Sequence, residues 1–181
     1  EMYKKYGRIV SPMGCRAFLS EYVNEEGESI FTGRGNCGAV TLNLPRFAIQ
    51  SKGNMETFFK LIDENFERAI KVHQFTYNRM KKVKAKTNPL LFVHGGCHIQ
   101  LDYEDTIEKV IDTFTWSIGY IGLDETIKAL TGMQLHQLPS LGEEILKHID
   151  KLIQKAKKDT GLRLAMYSTP AESLCYKFLE K

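Results

Sequence analysis

The sequence predicts an α/β fold with parallel strand pairing, and two observations carry that prediction. The β-branched and aromatic run Thr113-Phe114-Thr115-Trp116-Ser117-Ile118-Gly119-Tyr120-Ile121-Gly122-Leu123 reads as a buried strand and leads straight into a helical stretch, 124–131. A long amphipathic stretch ending at Gly161 is then followed by a second strand, 162–168, and by the helix-opening string Thr169-Pro170-Ala171-Glu172. The order strand, helix, helix, strand, helix is that of an α/β domain whose crossovers return each strand in the same direction.

Residues 11–46 are rich in Gly, Asn, Ser and Pro and read as a long loop, which contains near its end the strand-like run Ala39-Val40-Thr41-Leu42-Asn43-Leu44, stopped by Pro45. A loop this long inside a compact domain is usually functional or disordered. From Asn54 to about Lys84, Phe58, Ile62, Phe66, Ala69, Tyr77 and Met80 recur at helical spacing, with Leu61 and Ile70 widening the stripe. The predicted helix is long enough to break once, and His73 falls on its apolar face, where a core histidine is the favoured reading.

Asn88-Pro89 is a turn, and the apolar run Leu90–Val93 ends at His94-Gly95-Gly96-Cys97-His98. Cys97 and His98 without a second ligand pair at zinc-like spacing read as an irregular loop, not a metal centre. Gly119 and Gly122 imply close backbone approach, and Gly132 closes the helix 124–131. Ser140-Leu141-Gly142-Glu143, after Pro139, has the form of a capping box. Leu141, Ile145, Ile149, Leu152 and Ala156 then make one apolar face, and Lys155, Lys157 and Lys158 suit the negative end of the helix dipole.

The 181 residues are 43% hydrophobic and 26% charged, with a formal net charge of +3. This is ordinary globular composition, which excludes disordered, collagenous and coiled-coil classes and is enough for a substantial core. The charge is too small and too evenly spread for a nucleic-acid or anionic-membrane partner. The densest basic run, Lys81–Lys86, reads as a solvated helix end. No stretch reaches the roughly 18 apolar residues of a membrane span, and the charged, aromatic residues 1–10 are not a signal peptide. Cys15, Cys37, Cys97 and Cys175 lie far apart with no Cys-x-x-Cys pair, which fits a reducing cytoplasm better than a disulfide framework.

Two places invite chemistry. Cys15, in Pro12-Met13-Gly14-Cys15-Arg16, lies between Gly and Arg on the long loop, where a cation favours thiolate; a reactive thiol and a plain loop cysteine are equally good readings. The turn at Thr169-Pro170-Ala171-Glu172-Ser173 would present the free N–H groups of a first helical turn, a natural phosphate seat. Thr169 and Glu172 are also able to cap those donors themselves, and the structural cap is the favoured reading from the residues alone.

Four strings taken in order add a resemblance that covers nearly the whole chain. Ser11-Pro12-Met13-Gly14-Cys15-Arg16, Gly33-Arg34-Gly35-Asn36-Cys37-Gly38-Ala39-Val40-Thr41-Leu42-Asn43-Leu44-Pro45-Arg46, Ser117-Ile118-Gly119-Tyr120-Ile121-Gly122-Leu123 and Thr169-Pro170-Ala171-Glu172-Ser173 resemble the anaerobic (class III) ribonucleoside-triphosphate reductases, which are glycyl radical enzymes. The resemblance implies an oxidoreductase acting on ribonucleoside triphosphates. Its fold is a ten-stranded α/β barrel with a finger loop through the centre: residues 11–38 match the loop, and 39–181 match barrel strands and helices. Cys15 matches the cysteine that becomes a transient thiyl radical, which abstracts the ribose 3′ hydrogen and returns it after the 2′ hydroxyl leaves as water. Such a radical needs a water-poor site.

Met13 and Asn36 match positions found in members that use formate as reductant, Asn36 as an amide placed for hydrogen bonding near formate or ribose and Met13 as a soft apolar wall. Cys37 lies outside that pattern and leaves a thiol reductant such as a redoxin open. The resemblance also raises Thr169, Ala171, Glu172 and Ser173 as contacts for substrate phosphates. The family's radical-glycine string, its four-cysteine zinc site and its N-terminal ATP-binding region have no match here, and Glu1 is not an initiator methionine. The chain therefore reads as an internal segment, with no cofactor or metal of its own and inactive alone.

For the parent, the resemblance implies a glycyl radical made by a radical S-adenosylmethionine, iron–sulfur activating enzyme, formate, a structural zinc, nucleotide effectors bound elsewhere and a homodimer. Expressed by itself, a part-barrel with open sheet edges is expected to aggregate or dimerise. The rival readings are a nucleotide- or phosphate-binding α/β module without radical chemistry and a Cys/His metal protein built on Cys97 and His98.

Overall fold

Three short strands, each followed or preceded by a helix, make up the centre of the computed structural model, which describes residues 3, 4, 7 and 18–171. Met13, Cys15, Glu172 and Ser173 lie outside the described residues. Strands β1 (Asn36–Asn43), β2 (Thr115–Ile121) and β3 (Leu164–Ser168) form one sheet in the order β1-β2-β3, with both neighbouring pairs parallel. Helices α1 (Leu44–Ser51) and α2 (Met55–Met80) follow β1. A 3₁₀ turn, Ala85–Thr87, and two single-turn helices, α3 (Pro89–Phe92) and α4 (Glu108–Ile111), lead to β2. Helices α5 (Leu123–Thr131) and α6 (Pro139–Thr160) lead to β3. The parallel α/β reading therefore holds, as a mixed α/β unit around a three-stranded sheet.

Register divides the sheet into two faces. Val40 pairs with Ile118 and Ile118 with Met166, while Thr41 pairs with Gly119 and Gly119 with Tyr167. Because side chains alternate along a strand, Leu42, Trp116, Ile118 and Leu164 share one face, and Thr41, Thr115, Ser117, Gly119 and Tyr167 share the other. The first face packs with Phe58, Ile62, Phe66 and Ala69 of α2 and Ile145, Ile149 and Ile153 of α6 in the main core. Each large side chain buried there contributes about 1.5–3 kcal/mol. A second cluster, around Phe92, Leu101, Ile107, Val110 and Ile111, stabilises the segment between α2 and β2.

Local chemistry explains where the elements differ from the sequence pattern. β1 begins earlier than expected, at Asn36, and ends at Asn43, whose Oδ1 accepts the Arg46 N–H at 3.2 Å and so starts α1. Pro45 is thus in the first turn of a helix the pattern did not anticipate. Asn54 caps α2 by accepting the Thr57 N–H at 2.8 Å, and α2 runs unbroken for 26 residues. His73, 2% exposed, is a core residue as expected.

Ser140 is not a cap. Pro139 already occupies the first turn of α6 and Leu138 is the N-cap residue, because proline's fixed φ favours the opening of a helix. Pro170 does not open a helix either. Ala171 has φ 52°, a left-handed value that a right-handed helix does not accept, and Thr169 N–H still bonds the β2 carbonyl of Tyr120 at 3.0 Å. The chain stays with the sheet one residue longer than the pattern implies. Lys84 and Lys86 of the basic run, past the end of α2, both contact Glu104.

Candidate functional site

The face of the sheet turned away from α2 and α6 carries the polar groups. Thr115, Ser117 and Gly119 line it on the central strand, and the first two are no more than 1% exposed. Each hydroxyl has a partner. Ser20 N–H donates to Thr115 Oγ1 at 2.9 Å, and the two hydroxyls lie 3.1 Å apart. Asn36 Nδ2 donates to Ser117 Oγ, while Asn36 Oδ1 accepts the Gly38 N–H at 3.0 Å. Thr41 Oγ1 and Thr169 Oγ1 are hydrogen-bonded at 3.0 Å.

Gly119 makes that last contact possible. A Cβ at this position would collide with Thr169 Oγ1 and come within 2.7 Å of Thr41 Oγ1. The glycine is therefore required by two side chains that meet across it from β1 and from the end of β3. Gly122 is the second close approach foreseen in the sequence: its φ is 67° and a Cβ there would strike the Pro45 ring.

Two of the site residues expected from the sequence, Asn36 and Thr169, are thus brought to the same side of one sheet. Ala171 follows directly in the turn after β3. Thr169 contributes through its side chain; with Pro170 lacking an N–H and Ala171 in a left-handed conformation, residues 169–171 do not form a helical N-terminus. When two hydroxyls bond each other one O–H donates, so the Thr41–Thr169 pair retains one O–H for a third group. Thr41 and Ser117 were not singled out by sequence reasoning. The signal was present in the alternation Thr115, Ser117, Gly119 against Trp116, Ile118, Tyr120.

The loop preceding β1 is fastened by two arginines. Arg34, 8% exposed, donates through Nε to Thr113 O at 2.7 Å and through Nη1 to Ile30 O at 2.9 Å. Arg163 donates to Asp112 O at 2.9 Å and Glu21 O at 3.1 Å. The Tyr22 ring lies near both guanidinium carbons, at 5.3 Å from Arg34 and 4.6 Å from Arg163, within cation–π range. Burial, with Arg163 adding to it, lowers Arg34 to about 10, which still leaves it charged at neutral pH.

Cys37, between the two hydrophobic clusters, is a poor nucleophile: burial, with nearby Cys97 adding to it, raises its thiol to about 12. Burial also raises Cys97. His98 sits in an irregular loop, its Nδ1 3.1 Å from Gly33 O. Among the described residues, no group of three or more His, Cys, Asp and Glu side chains is placed to hold a metal ion. No helix among them is long and apolar enough to cross a membrane.

Fold and face together define an α/β unit whose parallel sheet is backed by helices on one side and carries a largely buried layer of hydrogen-bonded polar side chains on the other. Residues 1–181 match the family model for anaerobic ribonucleoside-triphosphate reductase, and the chain belongs to that family. It is 38% identical to the anaerobic ribonucleoside-triphosphate reductase of Escherichia coli strain K12 over 98% of its own length and 26% of the relative's. The enzyme of the same name from Enterobacteria phage T4 is 36% identical over 93% of this chain and 28% of the relative. This chain thus spans about a quarter of the length of these relatives. A crystal structure of the anaerobic ribonucleotide reductase from Thermotoga maritima, with citrate in its active site, superposes with a TM-score of 0.60 at 19% identity, covering 86% of this chain and 28% of that one. A second anaerobic ribonucleotide reductase structure gives 0.59 at 18% identity, covering 82% and 23%.

Proposed function

We propose that this chain is the catalytic-barrel segment of an enzyme that reduces ribonucleoside triphosphates to deoxyribonucleotides by thiyl radical chemistry, with formate as the reductant. Residues 11–38 match the finger loop of a ten-stranded barrel and 39–181 the strands and helices of its wall, the first wall strand reaching back to Asn36. Cys15 is the radical-bearing residue, Met13 and Asn36 face the reductant, and Thr169, Ala171, Glu172 and Ser173 take the substrate phosphates. The observation that carries this reading is that Asn36 and Thr169, 133 positions apart in the sequence, lie on the same polar face of one parallel sheet.

The chemistry fits the residues. Replacing a 2′ hydroxyl by hydrogen releases water and consumes two electrons, which formate supplies on oxidation to carbon dioxide. A carboxylate needs hydrogen-bond donors, and Asn36 keeps one Nδ2–H beyond the one given to Ser117. The raised thiol of Cys37 makes it a poor partner for thiol exchange, which favours formate over a redoxin. The radical starts on a glycine elsewhere in the parent protein, placed there by a radical S-adenosylmethionine activating enzyme. The parent works as a cytoplasmic homodimer with nucleotide effectors bound outside this segment and a structural zinc, also outside it.

Replacement of Cys15 by serine in the full-length protein that carries this segment tests the reading. The expected outcome is loss of deoxyribonucleotide formation with nucleotide affinity unchanged. Continued reduction by the Cys15→Ser protein overturns it.

A further inference from the structure

The Asn36 carboxamide is gripped at both ends, and the grip determines which end points where. The β1–β2 register slips between Asn36, opposite Thr115, and Gly38, opposite Trp116. A bulge of this kind re-aims a side chain, and here it brings the Gly38 N–H within 3.0 Å of Asn36 Oδ1. A backbone N–H accepts no hydrogen bond from an NH₂ group, so the oxygen must face Gly38 and the nitrogen must face Ser117. Ser117 Oγ is then the acceptor, and its own O–H is turned toward some other group.

Ser117 is held firmly enough to serve as a fixed point. It is 1% exposed at the middle of the central strand. Its carbonyl oxygen accepts a hydrogen bond from His73 Nε2 at 3.0 Å from the α2 side. The remaining Asn36 Nδ2–H and the Ser117 O–H are both donors, the complement of a carboxylate.

We propose that Ser117 is a positioning residue for the reductant: the Gly38 N–H sets which end of the Asn36 carboxamide is oxygen, and the buried Ser117 hydroxyl anchors its NH₂ end so that the remaining N–H is presented to the formate carboxylate. The proposal rests on the role given to Asn36 above. It implies that the two residues act as one unit toward formate and that the nucleotide does not sense the change.

The test is steady-state kinetics of the activated full-length protein with formate and nucleotide varied separately, for Ser117→Ala, Ser117→Cys, Ser117→Thr, Asn36→Ala and the Ser117→Ala/Asn36→Ala pair. Ser117→Ala is expected to raise the formate KM about tenfold, the scale of one hydrogen bond, with the nucleotide KM unchanged. Ser117→Cys, which keeps the volume but accepts poorly, gives the same defect and replaces Ser117→Ala if that variant does not fold. Ser117→Thr restores formate use to within a few-fold, and the double variant is no worse than Asn36→Ala alone, the signature of coupled groups. Additive defects, or equal changes in both KM values, overturn the proposal. A formate defect in Asn36→Ala but not in Ser117→Ala or Ser117→Cys overturns the role of Ser117 alone, whereas an unaltered formate KM in Asn36→Ala overturns the role of Asn36 and, with it, this inference.

Discussion

On one side of the central strand, Trp116 and Ile118 are 1% and 0% exposed; on the other, Thr115 and Ser117 are 0% and 1% exposed. Burial is equal, yet the two faces do different work. The Trp116 face meets α2 and α6 through aliphatic and aromatic contacts that depend on volume and tolerate small shifts. The Ser117 face meets polar side chains from Ser20, Asn36, Thr41 and Thr169, and each hydroxyl has to find a partner because an unsatisfied buried polar group costs about 1–3 kcal/mol. The first arrangement stores stability. The second spends little apolar area and fixes the direction of donors, which a binding surface requires.

Truncation on the two faces gives the largest contrast. Trp116→Ala is expected to destabilise the full-length protein by about 3–5 kcal/mol, and Ser117→Ala by about 1 kcal/mol, read from denaturant midpoints. Comparable losses would mean that the polar face is also a stability element and would erase the distinction.

Gly119→Ala comes next. Its methyl group displaces Thr169 or Thr41 from their shared hydrogen bond, and overpacking of this kind costs about 1–3 kcal/mol. Because the disturbance falls on the turn that carries Thr169, nucleotide affinity should drop by more than the change in stability would suggest. A variant with the stability loss and unaltered nucleotide affinity separates Thr169 from substrate binding.

The smallest effect concerns His73, which links the faces by reaching from α2 to the Ser117 carbonyl. Burial, opposed in part by that hydrogen bond, holds its pKa below the ordinary 6.5. The unfolded chain therefore binds a proton before the folded one does. The contribution of neutral His73 is complete above pH 6.5 and is lost as pH falls from there through the depressed native value, with a slope of at most about 1.4 kcal/mol per pH unit. His73→Gln keeps a donor but does not titrate, so its stability should be flatter across this window. An identical acid limb in both proteins would assign the pH dependence to other groups.

Much of the helical framework was legible because its signals are local. The stripe through Phe58, Ile62, Phe66 and Ala69, the closing glycines Gly132 and Gly161, and the core position of His73 depend on neighbours within a few residues. The local signals failed where two competed. At α6, Pro139 set the helix start ahead of the Ser140 string, and at Pro170 the pairing of Thr169 with β2 outlasted the helix-opening pattern. Of the polar cluster on this face, Asn36 and Thr169 were named in advance as site candidates, while Thr41 and Ser117, though inside the resembling strings, were not, since nothing nearby in sequence announces their hydrogen-bond partners.

The amino-acid sequence alone determined that β2 has two chemistries, through the two-residue period of Thr115, Ser117 and Gly119 against Trp116, Ile118 and Tyr120, and that helices connect the strands. Tertiary structure decided which face the helices cover and which hydroxyl each polar group receives. The Asn36–Ser117 bond joins residues 81 apart and the Thr41–Thr169 bond joins residues 128 apart. Side-chain period is a property of consecutive residues, whereas a hydrogen bond between distant residues exists only after strand order and register have brought donor and acceptor together.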